Sequence, residues 1–365
     1  MKFKIVRSKF LEGLKKVQNI VGTKGSMLII QNVLIEAKDR ELVLTTTDLD
    51  ISIRSHVPCE VVEEGATTLP VKLLVNAIAK SPEGPIDVAV GAADCAFISA
   101  GSAEFKLNGM AVADFPSLPE DQNSFEYVLP QMTLREMLRK TAYAASQDDT
   151  RKTLRGVLMS FRDGKLTMVA TDGRRLALVE HEIELPEDAQ KDVILPTKVV
   201  AELQRSLAGD GDVRITIEKS QISFNLGETR LYSKLLDEVY PNYRQVIPTT
   251  CAERVAVDRM LLLAALDRVS VMTMDESNST CLTFDANQLV VASSKSSEAG
   301  SARDIVPIKY DGAKIDIVFN PGFVMDPLKA IDDDEVTIEL SNGTSPAMIK
   351  CSVPFLYVMM PLRIN

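Results

Sequence analysis

The chain contains no tryptophan, and aromatic residues make up only 5% of it, so its cores must be built from aliphatic side chains. It has only two histidines, His56 and His181. Neither stands near a cysteine, a serine or an acidic pair at the spacing of a catalytic set. There is no P-loop, no G-x-G-x-x-G after a strand, no G-x-S-x-G and no H-E-x-x-H. The acidic run Asp332-Asp333-Asp334-Glu335 lacks the glycine and alternating spacing of a calcium loop. The sequence therefore makes no positive case for an enzyme, and no metal or cofactor is expected. No apolar run approaches the ~20 residues of a membrane-spanning helix. The start, MKFKIVRSKF, has no apolar core of a signal peptide. The five cysteines, Cys59, Cys95, Cys251, Cys281 and Cys351, are scattered and form no C-x-x-C pair. They read as reduced thiols of a cytoplasmic protein rather than a disulfide frame or zinc site.

What the chain does have is an internal repeat. Its 365 residues suit two or three domains. Three segments, starting at Phe3, Tyr127 and Arg254, share one plan: a short alternating strand, then an amphipathic helix. Ser8, Thr133 and Asp258 are placed to cap these helices by accepting a bond from a first-turn amide, and they recur about every 125 residues. A second set of helices opens at Pro70, Pro196 and Pro321, where the missing proline N–H is no loss. Asn320 is a good cap before the third of these, whereas Leu69 and Leu195 are poor ones. The segments around Asp48 and Asp172, and around Pro116 and Pro241, keep the same period. The period predicts three similar domains over 1–121, 125–247 and 252–365. Each has two helices and several alternating strands, an α+β fold in three tandem, sheet-backed copies.

The net charge of −10 argues against a nucleic-acid partner only if it is evenly spread. The expected helices over 8–20, 70–81, 133–144 and 196–207 are each net positive. Those over 258–269 and 320–331 are neutral, and the remainder of the chain is strongly acidic. Helices gathered on one surface would draw a polyanion there while the rest repelled it. Lysine and arginine that merely populate solvated helix faces give the same pattern. Charge alone thus leaves open a DNA-binding protein, an enzyme acting on an anionic substrate in a helix-lined cleft, and an oligomeric scaffold without DNA.

One stretch, LTMVATDGRRLALVE from Leu166 to Glu180, stands out. Leu166, Met168 and Ala170 alternate before Asp172-Gly173, and Leu176 and Leu178 alternate after it. This predicts a hairpin turning at Asp172-Gly173, because the turn needs a positive φ that glycine takes freely. Arg174 and Arg175 leave the turn together. Taken by itself, an ordinary surface hairpin with a solvated arginine pair fits as well.

Three α+β repeats, the ATDGRRLAL stretch, YPNYRQVIP at Tyr240–Pro248 and the C-terminal YVMMPLRIN resemble the bacterial β sliding clamp family over essentially the whole chain. The resemblance implies a processivity factor of the replicative DNA polymerase, without catalysis or cofactor. It implies a head-to-tail homodimer, each chain forming half of a six-domain ring whose helices line a hole for double-stranded DNA. Such a ring holds DNA by topology, on a field that carries no sequence information. The implied partners are the replicative DNA polymerase, the clamp loader and other DNA replication and repair proteins with clamp-binding motifs. They would dock in one peptide pocket per chain, with the hairpin as one wall.

By position, the resemblance assigns to that pocket Leu154, then Thr171, Gly173, Arg174, Arg175 and Leu176 of the hairpin, then Pro241 and Val246. Asn320, Phe323 and Pro346 follow, with Val358, Met360, Pro361, Leu362 and Arg363 of the C-terminal strand. An apolar set with a few polar anchors suits a peptide groove. Arg174, Gln245, Ser277 and Pro346 depart from the residues usual in the family. The positions implied to face DNA are Lys24, Lys72, Arg151, Lys152 and Lys198. The ring joint is implied at Phe105 and Leu107 on one side and Val271 and Met272 on the other.

Overall fold

The N-terminal strand Lys2–Val6 alternates exposed and buried side chains, which puts Phe3 and Ile5 in the core. It runs without a break into helix α1 (Arg7–Val17), which buries Phe10, Leu14 and Val17. A Cβ on Gly13 of α1 would lie 2.4 Å from Val57 Cγ2. Glycine there lets the helix close onto the strand Ile51–Pro58. The computed structural model describes residues 1–21, 27–117, 125–184, 190–207, 209–273, 279–293 and 300–363. Lys24 and Ser277 lie outside the described residues.

The other helices are α2 (Val71–Lys80), α3 (Gln131–Thr141), α4 (Thr197–Ser206), α5 (Arg259–Ser270) and α6 (Pro321–Ala330). Their starts correct part of the capping expectation. Ser8 and Thr133 lie inside first turns, not at caps, because each strand continues directly into its helix. Distant backbone meets the open amides instead. Arg7 N donates to Gly84 O at 2.9 Å, and Gln131 N to Gly211 O at 2.8 Å. Asp258 does cap α5, accepting from Leu261 N at 2.8 Å. Asn320 caps α6, accepting from Gly322 N at 2.9 Å, with Pro321 as the first helical residue. Pro70 and Pro196 end strands, and their helices begin one residue later.

The chain forms two compact units, Met1–Leu134 with Ala201–Leu235, and Arg135–Val200 with Leu236–Asn365. They do not coincide with the sequence repeats, because strands of different repeats pair edge to edge. In the first unit Thr229–Lys234 pairs antiparallel with Ile51–Pro58, and in the second Arg175–Glu182 pairs antiparallel with Phe355–Met359. Pairing covers edges that would otherwise template aggregation.

The first unit holds an eight-stranded sheet in the order Phe125–Pro130, Asp212–Ile217, Gln221–Asn225, Thr229–Lys234, Ile51–Pro58, Glu41–Thr47, Asn32–Lys38, Gly65–Pro70. Its five-stranded sheet runs Glu60–Glu63, Lys2–Val6, Pro85–Val90, Cys95–Ala100, Ala103–Asn108. The second unit has an eight-stranded sheet in the order Lys191–Pro196, Gly156–Arg162, Lys165–Thr171, Arg175–Glu182, Phe355–Met359, Ala347–Lys350, Glu335–Leu340, Glu253–Asp258. Its four-stranded sheet runs Arg303–Pro307, Gln288–Ser293, Thr280–Asp285, Ile315–Phe319. Leucine, isoleucine and valine dominate both cores. Among the described residues no helix is long and apolar enough to cross a membrane, no cluster of His, Cys, Asp or Glu could hold a metal, and all five cysteines are free.

Candidate functional site

The hairpin is present, with a longer turn than the sequence suggested. The ladder between Lys165–Thr171 and Arg175–Glu182 ends at Thr171 opposite Leu176, so Asp172 to Arg175 make the reversal. Side chains of the turn satisfy its own backbone. Thr171 Oγ1 donates to Arg175 O at 2.6 Å and accepts from Gly173 N at 3.1 Å. Asp172 Oδ1 accepts from Arg174 N at 2.9 Å and from Arg175 N at 3.0 Å. Gly173 has φ +84°, the left-handed region that its lack of a Cβ permits.

Arg175 turns inward. Its side chain is only 11% exposed. Nε donates to Asp172 Oδ2 at 3.1 Å, one terminal nitrogen bonds Asp326 of α6, and the other donates to Tyr143 O at 2.6 Å. The guanidinium lies 4.4 Å from the Phe323 ring centroid. Tyr357 OH donates to Phe323 O at 2.8 Å. Burial pushes the Tyr143 and Tyr357 phenols up, so both stay neutral. Arg175 therefore commits three of its five N–H groups to Asp172, Asp326 and Tyr143 O and fastens the turn to α6.

Beside this turn the outer face of the sheet is apolar. Leu158, Val169, Leu176, Ile194, Met348 and Val358 pack together, and Tyr243 from the connecting segment closes over them. Leu176 stands directly opposite Val358, and Met348 opposite Val358 on its other side. Leu178, Leu236, Tyr240, Ile247, Cys251 and Leu356 border the cluster. Tyr240 OH donates to Val169 O at 3.4 Å. The strand Lys165–Thr171 is buried at every position but its first: the short helical turn Ala142–Ala144 packs against it, and Tyr240 and Tyr243 cover Val169. The alternation of Leu166, Met168 and Ala170 marks one buried face, and Val169 belongs to the other, which is buried as well. Tyr243 and Met348 were missed in the sequence; Met348 sits between buried Ala347 and Ile349, so no alternation marked it.

The expected pocket residues fall into groups. Leu176 and Val358 belong to the buried apolar cluster, each 2% exposed. Leu154 is half-buried in the short helical turn Lys152–Arg155 and accepts from Ser146 N at 2.8 Å. Val246, 41% exposed, and exposed Pro241 belong to the connecting segment. Arg174 is exposed, and its carbonyl accepts from Met360 N at 2.9 Å, so the C-terminal tail is tied to the hairpin. Leu362 N bonds Val318 O at 2.8 Å, while Pro361 is half-buried and Arg363 exposed. Pro346 is half-buried just before the strand Ala347–Lys350. Asn320 and Phe323 sit at the start of α6, the first as its cap and the second beneath Arg175.

Of the residues expected to face DNA, Lys72 and Lys198 lie exposed in the first turns of α2 and α4. Arg151 and Lys152 are exposed on the loop before Leu154. Arg151 also donates to Asp172 O at 3.0 Å, so this loop braces the hairpin turn. Phe105 and Leu107 are half-buried on Ala103–Asn108, the edge strand of the five-stranded sheet, opposite Ile98 and Ala96. Val271 is 68% exposed at the end of α5, with half-buried Met272 beside it.

Family models for the DNA polymerase III beta subunit match the chain three times. The N-terminal domain matches over residues 1–119, the central domain over 128–242 and the C-terminal domain over 244–363. The chain is 34% identical to the beta sliding clamp of Chlamydia muridarum over the full length of both, and 31% identical to that of Escherichia coli, again over the full length of both. Among solved structures, a sliding clamp from Bartonella birtlesii bound to griselimycin superposes with a TM-score of 0.95 at 33% identity. One from Bacillus subtilis superposes with a TM-score of 0.96 at 26% identity. Both matches cover 100% of each chain.

Proposed function

The chain belongs to the DNA polymerase III beta subunit family, the beta sliding clamps, and from that membership we propose how its own residues do the work of a clamp. Two chains join head to tail into a ring that encircles duplex DNA without reading its sequence and tethers the replicative polymerase and other partners. The three domains span 1–121, 125–247 and 252–365. The ring acts in the cytoplasm as a non-catalytic tether. Its joint sets Phe105 and Leu107 on the edge strand of one chain against Val271 and Met272 of the other. Lys24, Lys72, Arg151, Lys152 and Lys198 meet DNA phosphates, which give affinity without base preference.

Partners dock through a short, extended peptide on the apolar face beside the hairpin. The observation that carries this reading is the Leu176–Val358 pair. It lies at the bottom of an apolar face bounded by a self-bonded turn on one side and Tyr243 with Ile247 on the other. Apolar side chains at the end of the peptide fill the space among Leu154, Leu176, Val246, Val358, Met360 and Leu362, and a glutamine or other polar residue anchors it. Arg175, Asp326 and Phe323 hold the wall rather than the ligand.

The test is topological. Loaded protein should remain on a circular duplex and run off once the same duplex is cut, with residence shortened by high salt. Retention on linear DNA with free ends, or a footprint favouring one sequence, would contradict a ring held by topology.

A further inference from the structure

Past the Leu176–Val358 pair, the next pair on the same face is Leu178 opposite Leu356. Two residues along a strand advance roughly 7 Å, so the second pair lies one step along the same face, within reach of a peptide held beside the first. Leu178 and Leu356 are only half-buried. They floor a groove of about 490 Å³, closed by Ile247 and Tyr243 on one side and Pro354 at its end. Arg244 is exposed at the mouth and stacks 4.9 Å from the Tyr243 ring centroid. The two acids about Arg244 are each held by another cation, Glu180 by Lys165 at 3.2 Å and Asp192 by Arg162 at 2.9 Å, so the net charge at the mouth is positive.

The fold does not demand leucine here. In the eight-stranded sheet of the first unit, the matching pair on the matching strands is Arg54 opposite Arg230. The second unit carries an apolar pair where the first carries two cations.

We propose that this groove receives the residues flanking the anchored motif of a partner peptide, an apolar side chain followed by an acidic one. The proposal rests on the docking face described above and extends it: Leu178 and Leu356 take the apolar side chain, and Arg244 pairs with the acid. The flank then adds affinity and discriminates among partners that share the same anchor.

The experiment uses the full-length protein and three fluorescein-labelled synthetic peptides. The parent is Gln-Ser-Ser-Leu-Leu, and the others add Gly-Ser-Leu-Glu at its start or at its end. One extended peptide should bind about five-fold tighter than the parent, consistent with partial burial of one leucine together with one exposed ion pair. Arg244→Glu should erase most of that gain, and replacing the peptide's glutamate by lysine should restore it on the variant. Leu178→Asn should also erase the gain, and parent affinity serves as the check that the variant is folded. If the parent binds but neither extension helps, or if Arg244→Glu leaves the gain intact, the flank groove is overturned and the docking face stands. If the parent fails to bind, the docking face falls and this proposal with it.

Discussion

Two hairpins in this chain, Thr47–Ser52 and Thr171–Leu176, make the same internal bonds and present opposite surfaces. Thr47 Oγ1 donates to Ile51 O at 3.0 Å and accepts from Leu49 N at 3.1 Å, as Thr171 does with Arg175 and Gly173. Asp48 Oδ1 accepts from Asp50 N at 3.0 Å and Ile51 N at 2.8 Å, as Asp172 does with Arg174 and Arg175. The backbone is so alike that Leu49 takes φ +80°, close to the +84° of Gly173. The side chains diverge. Where the second hairpin has Leu176 opposite Val358, the first has Ser52 opposite Tyr232. The nearby cavity of the first unit mixes Thr47, Asp50, Ser52, Gln221 and Lys234 with Leu49, Pro116 and Tyr232. Its hydroxyls bond one another, Ser52 Oγ to Thr47 Oγ1 at 2.7 Å, and Lys234 pairs with Asp50 at 3.0 Å. One geometry therefore borders a cleft with internally paired polar groups in one unit and the apolar face proposed for docking in the other. Turn chemistry sets the scaffold; the cross-strand pairs beyond the turn decide what it can bind.

Exchanging residues between the hairpins tests that statement, and the largest effect should come from Arg175. Its counterpart is Ile51, a core residue 2% exposed. Arg175→Ile leaves the Asp172 and Asp326 carboxylates without their shared cation. The cost should be about 2–4 kcal/mol, below the range for fully buried pairs because Asp326 is 34% exposed. Thermal unfolding should show it. Arg175→Lys should recover only part, because one ammonium cannot serve three partners held by a planar fork. An unchanged unfolding temperature would mean that the hairpin is not held by this residue.

The next effect is on binding. Leu176→Ser copies Ser52 and removes one apolar anchor worth ~2 kcal/mol, so a docked peptide should bind roughly 30-fold more weakly. Fluorescence titration measures this, with sedimentation to show that the dimer persists.

A smaller effect follows from Gly173→Leu, which copies Leu49. A left-handed conformation costs a side-chain-bearing residue about 1 kcal/mol or somewhat more. The new Cβ would also lie 3.3 Å from Arg151 Nη1, a flexible group that can shift. Stability should fall by about 1 kcal/mol, read by thermal unfolding. The smallest is the reverse change: Leu49→Gly should raise stability by less than about 1 kcal/mol, since glycine's freedom in the unfolded chain offsets much of the relief. Leu49 is 44% exposed, so little burial is lost. A destabilised Leu49→Gly would show that the leucine makes contacts worth more than its strain.

What the sequence revealed follows the range of the forces involved. Local signals were legible: the turn at Asp172-Gly173, the Asp258 cap, and Asn320 before Pro321. The repeat was legible as well, because pattern and spacing survive divergence of individual residues. The caps at Ser8 and Thr133 misled because the partners of the first amides, Gly84 O and Gln131's partner Gly211 O, are distant backbone that no local pattern reveals. The joining of repeats through Arg175–Glu182 and Phe355–Met359 is likewise a tertiary event. It is this joining that brings Leu176 to Val358 and makes the docking face. The inward role of Arg175 was hidden too: a paired arginine beside a turn reads as a surface group until α6 and Tyr143 are seen around it.

The comparison is tested most directly by counting sites. Calorimetric titration of the full-length protein with the parent peptide should give one equivalent per chain. That equivalent should vanish or weaken roughly 30-fold with Leu176→Ser and be untouched by Ser52→Ala. Two equivalents per chain, or an undiminished site in Leu176→Ser, would contradict the account, because the polar cleft would then dock peptides as well as the apolar face.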